Sequence, residues 1–213
     1  MLRLMETRTG QVVGVRPGPL RLYVHQPDDL RVCLTADMIR RVGLRLRRRV
    51  LTTAAHAADH GWLSIARLDA GEPLPGALGV GNLTSGASVG VAAWTAAGHE
   101  EAEPAAFRLA LLRHHYREEA GIGPEAVGDA AADLARWRDR MADWATGPSR
   151  PIHAAYAEET LEALCDDLDA PRALAVLDRL VNDEDVAPGS RLETVLQLDQ
   201  ILALELPAAI GTR

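Results

Sequence analysis

The side chains best suited to chemistry are few and lie mostly in the first third of the sequence. His56 and His60 stand four apart in "HAADH", a spacing that on a helix would let two imidazoles share a metal ion. The glutamate of a zincin motif is missing and no third ligand is evident, so a polar loop is the plainer reading. His25 and Cys33 flank the expected end of a strand, where an imidazole and a thiol could form a nucleophile pair. A thiol ionises in electropositive surroundings, and Asp28 and Asp29 between them supply the opposite. Cys165, in "LEALCDDL", reads as a small core residue. No catalytic residue, metal ligand set or cofactor is assigned on these grounds.

Arginine supplies every formal cation, and the 213 residues contain no lysine. Arg40, Arg41, Arg45, Arg47, Arg48 and Arg49 are concentrated in "RRVGLRLRRR", where one broad side of a helix could neutralise phosphates. Such a face could bind RNA, yet no aromatic platform is interleaved and the chain as a whole carries −7. A solvated helix face, or one that pairs with the acidic bundle of the same or another chain, is the favoured use. Residues 1–100 hold 12 arginines against 8 acids, while residues 101–213 hold 11 against 22. That asymmetry predicts two units with different surroundings.

Hydrophobic patterning supplies the elements that must position these groups. "LRLYVH" after the breaker "RPGP" predicts a strand, and "VLTTA" a second. Between them Thr35 is expected to cap a helix carrying Met38, Ile39, Val42 and Leu46, which completes a βαβ unit. "WLSIARLDA" predicts another helix and Gly71–Gly86 a loop. From there the chain reads as helical: "SVGVAAWTAAG", a helix opened by Pro104 and running through His114, His115 and Tyr116, and one opened by Pro124. The Pro124 helix presents Leu134, Trp137, Met141 and Trp144 as an apolar stripe. Two more are expected, "IHAAYAEETLEALCDDL" after the break "GPSRP" and "APRALAVLDRLV" capped by Asp169, and a capping box of Ser190 and Glu193 should start the last. The expected fold class is α/β plus α: a reduced Rossmann-like half over residues 1–86, then an α-helical bundle over 87–213. The change in composition lies near residue 100. No secretory signal or apolar span of about 18 residues is evident, and the two cysteines form no disulfide framework, so a cytoplasmic protein is expected.

Several segments, in order, resemble the cysteine-activating class I ligases, the cysteinyl-tRNA synthetases and mycothiol cysteine ligases. They are "LRLMETRTGQVVGVRPGPLRLYVH", "TADMIRRV", "VLTT", "EPAAFRLALLRHHYR", "LARWRDRM" and "CDDLDAPRALAVLDRLV". The resemblance implies an ATP-dependent, cysteine-activating ancestor with a zinc-binding cysteine at the end of the first strand. His25 stands at that position. The His-Ile-Gly-His element is replaced by "QPDDLRVCL", and the place of the Lys-Met-Ser-Lys-Ser loop by "NLTSGASVGV". Most of the second Rossmann half has no counterpart between Gly71 and Gly81. A truncated, catalytically silenced relative is therefore expected, with Tyr23, His25 and Cys33 as the remnant of a pocket. Its expected role is to bind a protein partner or a second copy of itself, with no membrane association. Two other readings stay open: a residual ligase or aminoacyl-transfer subunit completed by a partner, and RNA binding through the arginine helix.

Overall fold

A computed structural model describes residues 1–97 and 102–212. It divides into two compact units whose segments alternate along the chain. Over the described residues, the first comprises Met1–Thr95, His114–Gly121 and Leu164–Asp169. The second comprises Ala96–Arg113, Ile122–Ala163 and Ala170–Arg213.

The first unit begins with an antiparallel hairpin of β1 (Arg3–Glu6) and β2 (Gln11–Gly14), closed by a turn with Gly10 at φ +66°. A four-stranded, wholly parallel sheet follows, built from β3 (Leu20–Val24), β4 (Val50–Ala54), β5 (Leu78–Asn82) and β6 (Val89–Val91). Its order is β4-β3-β5-β6, and helix α1 (Leu30–Arg45) makes the crossover from β3 to β4. The alternation in β3 is that of a half-covered sheet: Leu20, Leu22 and Val24 are buried while Arg21 and Tyr23 are partly exposed. Gly43 lets α1 approach closely, since a Cβ there would lie 2.8 Å from Leu20 Cδ2 and 3.1 Å from Val50 Cγ2. The parallel sheet, its crossover helix and the six helices among the described residues match the expected fold class.

The second unit is helical: α2 (Pro104–Leu112), α3 (Pro124–Trp144), α4 (Ala154–Cys165, its last two residues in the first unit), α5 (Ala170–Asn182) and α6 (Pro188–Leu202). The stripe of Leu134, Trp137, Met141 and Trp144 is buried as its spacing predicts, with Phe107, Leu177, Val195 and Leu202 in the same core. Arg108 lies buried inside it and donates from Nε to the Leu202 carbonyl at 2.7 Å. No helix among the described residues is long and apolar enough to cross a membrane.

Five local expectations are corrected. The Gly71–Gly86 stretch contains β5, hidden from pattern reading because one side of the strand is made of Gly79 and Gly81. "SVGVAAWTAAG" forms β6 and β7 (Trp94–Ala96) where it is described, not a helix; Val89 and Val91 extend the parallel sheet, and β7 pairs with β8 (Ala120–Ile122). Gly98, at the expected helix end, lies outside the described residues. "WLSIARLDA" makes only one 3-10 turn, Gly61–Leu63, because Leu63, Ile65 and Leu68 are buried by an extended segment bridged to Ala58. His114, His115 and Tyr116 lie beyond the end of α2. Finally, α6 starts at Pro188 after Ala187, and the Glu193 carboxylate accepts from Ser149 Oγ at 2.8 Å, so Ser190 caps nothing.

Asp167 ties the hairpin into the first unit. It is buried at φ 60°, a left-handed conformation that short polar side chains tolerate better than others. Its carboxylate accepts from Met5 N at 2.8 Å and from the Tyr116 hydroxyl at 2.5 Å, and pairs with Arg117 Nε at 2.6 Å. Replacing it with Ala strips three donors of one acceptor and strains the backbone. Asp167→Ala is expected to destabilise the protein by about 2–4 kcal/mol in urea unfolding, and Tyr116→Phe by about 1 kcal/mol.

Candidate functional site

In an open parallel sheet, ligands bind beyond the carboxyl ends of the strands, where the strand order reverses. Here the chain leaves β3 for β4 on one side and returns to β5 on the other, so the reversal lies between β3 and β5. The two loops at that place start with His25–Asp29 and with Leu83–Ser88.

Side chains of the chain itself occupy this crevice. The His25 backbone continues the ladder by donating to Val80 O at 2.9 Å, and its ring stands edge-on to Tyr23 with centroids 5.0 Å apart. That ring lies over Gly79, where a Cβ would fall 2.6 Å from His25 Nε2. Gln26 fills the next position: its Oε1 accepts from Asn82 N at 2.9 Å and would sit 2.7 Å from a Cβ on Gly81. Ser85 closes the turn by donating from Oγ to Asn82 O at 2.7 Å. The glycines of β5 thus admit the side chains of the neighbouring loop.

The first turn of α1 is closed in the same manner. Asp29, and not Thr35, is the N-cap: its Oδ1 accepts from Arg31 N at 2.9 Å and Val32 N at 3.2 Å. Thr35 is inside the helix and donates to Arg31 O. The same Asp29 oxygen accepts from the Trp94 indole Nε1 at 2.9 Å. Arg31, fully buried, donates to three backbone carbonyls: Ala92 and Ala93, each at 3.2 Å, and His115 at 2.8 Å. Burial lowers its guanidinium pKa from the ordinary value, while Asp29 and then Glu118 act in the opposite sense. Sequence reasoning missed both Arg31 and Trp94. Asp29 could have been found, since an Asp directly before Leu30 and shortly ahead of the apolar run Val32–Leu34 is an ordinary N-cap signal.

The structure does not bring His25 and Cys33 together as a pair. The Cys33 thiol is buried and donates to Pro27 O at 3.2 Å. Burial, and after it the charges of Asp29 and Asp28, pushes its pKa up to about 12. His56 and His60 lie outside any helix and are engaged separately: His56 Nε2 meets Asp28 Oδ2 at 2.8 Å and His60 Nε2 meets Pro27 O at 2.7 Å.

The arginine run does not present one helical face, because α1 ends at Arg45 and Arg47 turns to φ 57°. Arg40 and Arg41 both pair with the buried Asp37 at 2.7 Å, and Arg41 also donates to Ser64 O. Arg48 donates to Gly18 O and Arg16 O at 2.8 and 2.6 Å. Arg47 and Arg49 are exposed and Arg45 is half-buried.

No family model matches the chain. Curated relatives do. One from Thermobispora bispora is 44% identical over 92 residues, which is 42% of this chain and 22% of that protein. One from Streptomyces griseus is 45% identical over 80 residues, 38% of this chain and 19% of that protein. One from Streptosporangium roseum is 36% identical over 111 residues, 50% of this chain and 26% of that protein. Each is named an L-cysteine:1D-myo-inositol 2-amino-2-deoxy-alpha-D-glucopyranoside ligase. The similarity is to cysteine ligases. It bears out the mycothiol cysteine ligase side of the resemblance read from the motifs, over a part of the chain. The chain spans about a quarter or less of the length of these relatives.

The Cys33 environment predicts an inert thiol. A pKa near 12 leaves about one thiolate in ten thousand at pH 8. In a Cys165→Ala background, Cys33 should react with a disulfide reagent only after unfolding in urea. Because the folded state holds the thiol protonated, that contribution to stability is complete below pH 9 and is lost as pH rises towards 12. Rapid labelling of the folded protein at pH 8 would contradict this environment.

Proposed function

We propose that this chain is a cysteine ligase-like protein without ligase chemistry of its own, and that it acts by binding a protein partner. The observation that carries the reading is the state of the α1 amino end. In a first βα turn this end offers backbone N–H groups and a positive dipole to the phosphates of a nucleotide. Asp29 places its own carboxylate there, fixed by two backbone amides and by Trp94. A phosphate entering that position would meet a like charge. The crevice beside it is packed with His25 and Gln26, and no lysine exists among the 213 residues to stabilise charge at a reacting phosphate.

The proposed partner is a full-length cysteine ligase of the same cell or a second copy of this chain. Charge supports this choice: residues 101–213 carry 22 acids against 11 arginines, and residues 1–100 carry an excess of arginine. Surfaces of opposite sign on two chains steer encounter and fix register. The internal commitments of Arg40, Arg41 and Arg48 weigh against RNA binding.

Two measurements test the reading. The purified chain should catalyse no cysteine-dependent ATP–pyrophosphate exchange and should not bind a non-hydrolysable cysteinyl-adenylate analogue by calorimetry. Mixed with the ligase, or alone at raised concentration, it should form a complex by light scattering. Exchange by the isolated chain overturns the non-catalytic reading. A strictly monomeric chain that ignores the ligase overturns the partner.

A further inference from the structure

A second concavity lies at the opposite, amino-terminal end of the parallel sheet. It is a cleft of about 520 Å³, within the range of small-molecule sites. Its floor is formed where β3, β5 and β6 begin, with the buried side chains of Leu20 and Val89, and Leu4 of the hairpin closes it from the side. Val13, which is 42% exposed, and the half-buried Val15 supply an apolar wall.

The polar part of the lining has one dominant sign. Arg16, Arg21 and Arg48 border the cleft against a single acid, Glu6. Glu6 is already an acceptor for the Thr9 hydroxyl at 2.9 Å. Arg48 is spent on the carbonyls of Gly18 and Arg16, which holds the Arg16–Gly18 segment as a rim. Arg21 uses one nitrogen on Pro75 O at 3.3 Å and keeps the other donors of its fork. The Arg16 guanidinium has no partner among the described residues and is exposed at the rim.

We propose that this cleft binds a small amphipathic anion, an apolar chain or ring ending in a carboxylate. The apolar body would lie along Val13, Val15 and Pro19, lining residues that keep accessible surface, and the carboxylate would take the free donors of Arg16 and Arg21, a geometry that arginine satisfies with two hydrogen bonds. The site is separate from the crevice at the carboxyl ends of the strands and does not depend on the reading given for that crevice.

The test uses the full chain, with decanoate as the probe and decylamine as its cationic counterpart. Decanoate should bind saturably at one site per chain by calorimetry and displace anilinonaphthalene sulfonate, and decylamine should do neither. The double variant Arg16→Glu/Arg21→Glu should weaken decanoate by at least about tenfold, the loss of one well-formed charged contact. Ala77→Trp, which fills the cleft from an incompletely buried position, should abolish binding with the far-ultraviolet dichroism unchanged. The proposal is overturned if decanoate fails to saturate by millimolar concentration. It is equally overturned if decylamine binds as well, or if both variants fold and bind like the parent.

Discussion

The first unit depends on satisfying the amino end of α1 without an external ligand. Four N–H groups at the start of a helix lack partners within it. In this chain Asp29 takes two of them, and the Trp94 indole holds the same oxygen. Two residues on, Arg31 turns from the helix into the unit and ties together the segments around Ala92 and His115. A buried guanidinium is costly to desolvate, and three backbone carbonyls are what offset that cost. The carboxylate and the guanidinium form one device: one closes the helix, the other fastens the neighbouring segments to it.

This arrangement decides what the carboxyl end of the sheet can do. A crevice at a strand-order reversal is open to ligands when the adjoining loops stand clear of it. Here Gly79 and Gly81 remove the side chains of β5, and the space is taken by His25 and Gln26. The thiol closest to the helix start is turned onto Pro27 O, in surroundings that keep it protonated. Charge and packing both oppose phosphate binding at the same place, and the neutral thiol offers no nucleophile there. The similarity to cysteine ligases extends over part of the chain, and this closed amino end is the feature on which the proposed non-catalytic reading rests.

The parts of the fold legible in the sequence were those whose periodicity arises from packing. Strands β3 and β4, the Pro104 and Pro124 helix starts and the Trp137–Trp144 stripe could be read directly. Strand β5 could not, since the residues that would show alternation are glycines chosen for what passes over them. The alanine-rich segment around Trp94 reads as helix on propensity, and only tertiary pairing makes it a strand. At the candidate site, His25 was visible as a departure from the ligase pattern. The bond between Asp29 and Trp94 spans 65 residues, and Arg31 reaches a carbonyl 84 residues away; neither leaves a local trace. The arginine run was misread as one face because helix termination at Arg45 rests on a backbone turn at Arg47.

The central claim is that the α1 amino end is filled by the protein's own carboxylate. It is tested most directly by following the amide resonances of Arg31 and Val32 and the Trp94 indole resonance while pyrophosphate is added. The account predicts that all three stay in place up to millimolar pyrophosphate, beyond a uniform ionic-strength drift. Saturable shifts confined to these three resonances would mean that Asp29 yields its position to an anion, and would contradict it.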